Sequence, residues 1–139
     1  MNSQQQLATL LLRVSLGAIY LAHGFYLKLF VFTLPGTAQY FESLGLPGAF
    51  AYLVFAGETL GGLALLLGFQ VRLASAGLVL IAAGATWFHL GAGWLFSNAG
   101  GGWEFPAFLT MATLVQGLLG AGPYALRLPA RSPALAQTA

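Results

Sequence analysis

Glu58 lies near the middle of AYLVFAGETLGGLALLLGF, residues 51–69, and is the only charged residue in a run long enough to cross a bilayer. Insertion scales put a charge at the centre of a membrane helix at about 2.5–3.5 kcal/mol unfavourable, so such residues face a bundle interior, pair, or mark a site. Candidate partners are few. The chain has three acidic residues, Glu42, Glu58 and Glu104, five basic ones, Arg13, Lys28, Arg72, Arg127 and Arg131, and two histidines, His23 and His89. Two chemistries follow for Glu58. It either locks the bundle as a carboxylate paired with Lys28, His23 or Arg13, or it exchanges a proton with a ligand that arrives from the outer leaflet. The two histidines permit a bis-histidine haem, and with Glu58 a metal, but their spacing demands neither, and no metal ligand is assigned.

The elements that hold these groups are apolar helices. Of 139 residues, 58% are hydrophobic and 6% charged, against roughly 25% charged in a soluble domain, so lipid is the main solvent. The chain partitions into four spans, residues 7–32, 50–69, 71–91 and 105–122, within one domain covering residues 1–139. The expected fold is all-α, an integral membrane four-helix bundle. Cysteine is absent, which removes disulfides and thiolate ligands, so redox work would need a cofactor or a protein partner. Five scattered basic residues make no track for phosphates, so nucleic acid is excluded as a partner despite the net charge of +2. The first apolar stretch runs past Arg13 without a basic leader region, so the first span is expected to be retained.

Spans two and three form a tight hairpin around Gln70, with Gly68 to end the helix. Arg13, Arg72, Arg127 and Arg131 collect on the hairpin side, where an even number of spans also places both termini; Lys28 stands alone opposite. The positive-inside rule therefore puts both termini in the cytoplasm of a cell whose inner, plasma membrane the chain crosses several times. Trp87, Trp94 and Trp103 fall on the outer side as interfacial anchors. In the first outer connection Thr37 is expected to cap a short helix that presents Tyr40, Phe41 and Leu44 on one face, stops at Gly45 and lies along the membrane surface as a lid. Gly100, Gly101 and Gly102 lack the flanking pattern of a phosphate cradle and are expected to form a flexible turn.

At about 100° per residue, Arg13, Gly17, Tyr20, His23, Gly24 and Lys28 share one hemicylinder of span one, which should face the interior. Gly17 and Gly24 then permit close helix contact, as do Gly57 and Gly61 beside Glu58 and the strip Ser75, Ala82, Ala85 and His89 on span three. Span four offers Thr110, Thr113 and Gln116, with Glu104 complementing its N-terminal dipole. Counting about 1.5 Å per residue, Glu58, His23, Lys28, His89 and Glu104 all fall in the outer half, while Arg13 lies near the cytoplasmic side, to snorkel or bond to a span C-terminus.

These residues resemble the DoxX family of small four-span bacterial membrane proteins. The likeness rests on Arg13, Ala22-His23-Gly24 with Lys28, the run from Phe41 to Pro47, Gly57-Glu58-Thr59-Leu60-Gly61-Gly62, Leu67-Gly68, Arg72, His89 and Gly120-Ala121-Gly122. The resemblance implies a quinone-linked oxidoreductase or the membrane subunit of one, with Glu58, His23 and His89 as proton-handling residues and Tyr20, Lys28, Arg13 and Glu104 as cofactor-binding ones. Quinone is the implied cofactor, and protein partners or a homo-oligomer are implied alongside the lipid bilayer. The alternative is a non-enzymatic scaffold that recruits soluble redox or detoxification proteins. Two departures stand out. Three residues separate His23-Gly24 from Lys28 where the pattern has two, so either the helix bulges or Lys28 serves the interface. After the Gly-x-Gly, Pro123-Tyr124-Ala125-Leu126 replaces the family's charged ending.

Overall fold

The computed structural model describes residues 1–126. Arg127 and Arg131, counted above toward a cytoplasmic side, lie outside the described residues. The described chain is helical, with no strand, and its elements are α1 (Ser3–Leu21), a π-helical segment (Ala22–Val31), α2 (Leu34–Ser43), α3 (Ala49–Leu67), α4 (Val71–His89), a 3₁₀ turn (Leu90–Ala92) and α5 (Glu104–Leu119). Three helices are long and apolar enough to cross a membrane: Ser3–Val31, Ala49–Leu67 and Val71–Ala92. The fourth expected span is shorter than 105–122; α5 has 16 residues and reaches about 24 Å.

Each boundary has a local cause. Asn2 and Gln5 form a reciprocal capping box that starts α1, with the Gln5 amide donating to Asn2 Oδ1 at 2.9 Å and the Asn2 amide to Gln5 Oε1 at 2.8 Å. Gly68 ends α3 in the left-handed region at φ +70°, and α4 begins at Val71, which confirms the tight hairpin. The lid helix begins earlier than expected. Its cap is Thr33, whose side chain accepts from the Gly36 amide, while Thr37 is buried and donates to the Thr33 carbonyl. Thr37, Ala38, Phe41 and Leu44 face the bundle at helical spacing; Tyr40 points outward, correcting the face assigned to it.

The loop that carries the glycine run is tied together at its base. The Trp103 amide donates to the Gly93 carbonyl and the Glu104 amide to the Trp94 carbonyl, bringing the two indoles edge to face at 4.5 Å between centroids. A Cβ on Gly102 would collide with the carbonyls of Trp94 and Leu95, so the loop closes only with glycine there. Gly102 therefore serves backbone approach, while Gly100 and Gly101 take left-handed backbone angles in the turn, at φ +85° and +74°.

Around the bundle α1 packs on α3, α3 on α4 and α4 on α5, with α2 laid over α3 and the π segment. The α1–α3 contact is backbone to backbone: a Cβ on Gly17 would sit 2.9 Å from the Gly62 carbonyl oxygen, and one on Gly62 would sit 3.1 Å from that of Gly17. Gly57 and Gly61 instead admit Ile81 and Leu78 of α4, and Gly117 of α5 rests on Ser75. The core is Leu16, Tyr20, Leu65, Val71, Leu78, Ala82 and Leu109, whereas Leu80, Phe108 and Leu118 point outward, as helices solvated by lipid require.

Arg13 closes the opposite end from the loops. It is 1% exposed, and its Nη1 donates to the Ala121 carbonyl at 2.6 Å while Nη2 donates to those of Pro123 and Tyr124 at 3.1 and 3.2 Å. The returning segment also docks on α3, where the Leu126 amide donates to the Leu67 carbonyl. Gly62→Leu should lower stability by about 1–3 kcal/mol through overpacking, seen as a lower thermal midpoint in detergent. Gly77→Leu, at a position with nothing within 4 Å, should leave the midpoint nearly unchanged. Equal losses in the two variants would refute the packing account.

Candidate functional site

The π-helical segment resolves the extra residue before Lys28. On an α-helix, five residues past His23 is the far side; an i→i+5 helix brings that position back above it. Lys28 Nζ accordingly donates to the His23 carbonyl at 3.2 Å and to Glu58 Oε2 at 2.5 Å. The bulge and the interface are thus one feature. Gly24, inside the same segment, lets α3 come so close that a Cβ there would lie 2.6 Å from the Glu58 Cβ.

Glu58 and Lys28 are mostly shielded, with side chains 11% and 15% exposed. An ion pair in this setting derives its stability from geometry and added hydrogen bonds, because desolvating both charges offsets most of their attraction. His23 joins the pair through its backbone carbonyl, which accepts from Lys28. Its Nδ1 lies 3.0 Å from the Ile19 carbonyl, which can only accept, so Nδ1 carries the hydrogen and Nε2 is left with a free lone pair in the neutral ring. Its imidazole stacks on Phe105 of α5, with centroids 5.6 Å apart and planes at 24°.

The other residues singled out from sequence go elsewhere. Tyr20 is fully buried and its hydroxyl pairs with Thr113 Oγ1 at 2.8 Å, tying α1 to α5. Arg13 is committed to the carbonyls after α5. Glu104 sits in the first turn of α5 and accepts from the Phe96 amide at 3.0 Å, which fixes the outer loop. His89 donates through Nδ1 to the Ala85 carbonyl and lies under Gly101. Among the described residues no three of His, Asp and Glu converge as metal ligands. Phe105 was not singled out from sequence; its position just inside the start of the last helix, level with His23, was the available signal.

An all-helical chain with three bilayer-length apolar helices and a buried Lys–Glu pair is a membrane protein with a built polar site. The chain belongs to the DoxX family, whose sequence profile matches residues 8–91, taking in Arg13, His23, Lys28, Glu58 and His89 but stopping before α5. A similar curated protein, CatD of Bacillus subtilis (strain 168), named as a candidate oxidoreductase, is 39% identical over 85 residues, 61% of this chain and 61% of that one. The match therefore spans less than two thirds of the relative. No solved structure matches the chain.

Lys28→Met or Glu58→Leu alone should destabilise by about 3–5 kcal/mol, because each leaves a buried charge unpaired, whereas the double variant should recover most of the loss. Denaturation of the three variants in matched detergent checks this. Additive losses in the double variant would show that the two side chains do not act as a pair.

Proposed function

We propose that the protein is the membrane subunit of a quinone-linked oxidoreductase, with the quinone ring bound beside Lys28, Glu58 and His23. The observation that carries the reading is the ion pair itself, assembled across a π-helical turn in an apolar bundle where a neutral packing residue would serve stability as well. The relative named as a candidate oxidoreductase supports the same class.

The residues fit such a ligand. The Lys28 ammonium has three N–H donors, two of them engaged by the His23 carbonyl and Glu58, which leaves the third for a ring carbonyl. Quinone supplies the two-electron, two-proton exchange between carbonyl and hydroxyl forms. In this reading Glu58, through its second carboxylate oxygen, and His23, through Nε2, give or take those protons. The two electrons come from, or pass to, a soluble protein partner that carries a redox group. Glu104 and His89 then shape the outer loop, and Arg13 and Tyr20 hold the bundle.

In this reading the chain crosses an inner, plasma membrane four times with both termini in the cytoplasm, and α2 lies along the outer surface. The short α5 crosses as the fourth span because its chain returns to Arg13, in the first half of the helix that runs from Ser3 to Val31. A chain without cysteine suits labelling: Ser97→Cys should react with an impermeant maleimide from outside intact cells, and Tyr124→Cys only after permeabilisation. Labelling of both from one side would remove the fourth span.

The site is tested by titrating purified protein in lipid nanodiscs with a decyl-chain benzoquinone. Glu58→Gln should weaken binding by about tenfold, equivalent to about 1.4 kcal/mol, and flatten its pH profile. Unchanged binding at every pH in that variant would take Glu58 out of the proton step.

A further inference from the structure

Every seam of the bundle but one is closed by direct helix contact. Gly17 and Gly62 close α1 on α3, Ile81 and Leu78 fill the glycine notches of α3, and Ser75 with Gly117 and Thr86 with Thr110 join α4 to α5. Deep in the bundle α1 meets α5 through Tyr20 and Thr113. Further out they diverge: no Cα of the π segment comes within 8 Å of a Cα of α5. One aromatic stack joins the two across this seam, His23 against Phe105, and His23 is also the residue whose backbone carbonyl accepts from Lys28.

We propose that this seam is the lateral portal through which a planar ring dissolved in the bilayer reaches Lys28 and Glu58, and that Phe105 is its movable leaf. The portal presupposes the quinone site proposed above. Centroids 5.6 Å apart leave no room for a third ring, which needs about 3.5–4 Å of contact distance on each face, so one of the two must swing aside. His23 is the fixed post, tied by Nδ1 to the Ile19 carbonyl on its own helix. Phe105 has no such tie. It is the second residue of α5, 38% exposed, and turns about two side-chain torsions. Displacing it trades one stacked ring on the imidazole for another, so an aromatic or quinoid ligand replaces what it removes and an aliphatic one does not. Phe108, one turn deeper on the same helix, is exposed and offers apolar surface to a lipid tail outside the portal.

The test is stopped-flow binding of a decyl-chain benzoquinone to protein in nanodiscs. Phe105→Ala should raise association and dissociation rates together by about tenfold while the equilibrium constant moves by less than about threefold, the signature of a gate. Phe105→Trp should slow both. Phe105→Leu, which keeps apolar bulk without a stacking ring, should fall between wild type and Phe105→Ala, and it serves as the faster variant if the alanine protein does not fold. Wild-type rates in all three overturn the portal and leave the quinone site standing. A change in dissociation alone overturns it too, since Phe105 would then be a pocket wall. Failure of wild-type protein to bind the quinone overturns the site and the portal together.

Discussion

Gly17 and Gly62 touch backbone to backbone, and two turns further out Gly24 rests against Glu58, so the first helix and α3 meet with almost no side chain between them. In lipid there is little hydrophobic drive to join helices, and close approach through small residues supplies dispersion contact instead. That contact fixes the distance and rotation of the two helices. Only at that separation does a lysine stem from one reach a carboxylate on the other without leaving the core. The ion pair is therefore a consequence of glycine placement, and the π-helical turn adjusts the one remaining variable, the angle from which Lys28 approaches.

The same helix carries two cations, Arg13 in its first half and Lys28 near its last turn, and each is satisfied from a distance in sequence. Lys28 takes Glu58 and its own His23 carbonyl; Arg13 takes three carbonyls of the chain leaving α5. Backbone oxygens past a helix end have no partner within the helix, and in a bilayer water does not reach them. Arg13 answers that need with a planar fork of donors that a lysine does not have. The first helix thus holds α3 through Lys28 and the end of α5 through Arg13, and Tyr20 with Thr113 joins α1 to α5 between the two levels.

Much of this was legible because membrane helices have one strong periodicity and few polar residues to place. The stripe Arg13, Gly17, Tyr20, Gly24 appears buried as drawn from a 100° wheel, and Gly57 with Gly61, Ser75 with Ala82, and Thr113 with Gln116 all face inward. The wheel failed where its premise failed. A π turn rotates each residue by less than an α turn, so Lys28 landed above His23 although the wheel put the two far apart around the axis. The lid helix began four residues earlier than expected because Thr33 and Thr37 are both plausible caps, and the choice depends on which hydroxyl meets a free amide. His89 shared a calculated depth with His23, but its ring is tied to Ala85 and lies under Gly101, while that of His23 is tied to Ile19 and stacks on Phe105. No pattern in the sequence announced the Trp94–Trp103 contact, which exists only because Gly102 admits two carbonyls.

The stretch that the DoxX profile covers ends at residue 91, so the ion pair, its glycines and both histidines lie within it, whereas α5 lies outside. The bundle has the same division physically. Residues 8–91 build a three-helix wall with a charged pair set into it; α5 contributes no charge to that pair and shuts the remaining side with Thr113, Gln116 and Phe105. The charged pair thus sits on the part of the chain held by glycine contact, while the start of α5 meets the first helix through the stack of Phe105 on His23 and is fixed beside it by the tie of Glu104 to the Phe96 amide. Under the proposed portal, close packing at the ion pair and a displaceable ring at the seam are compatible, because different helices carry them.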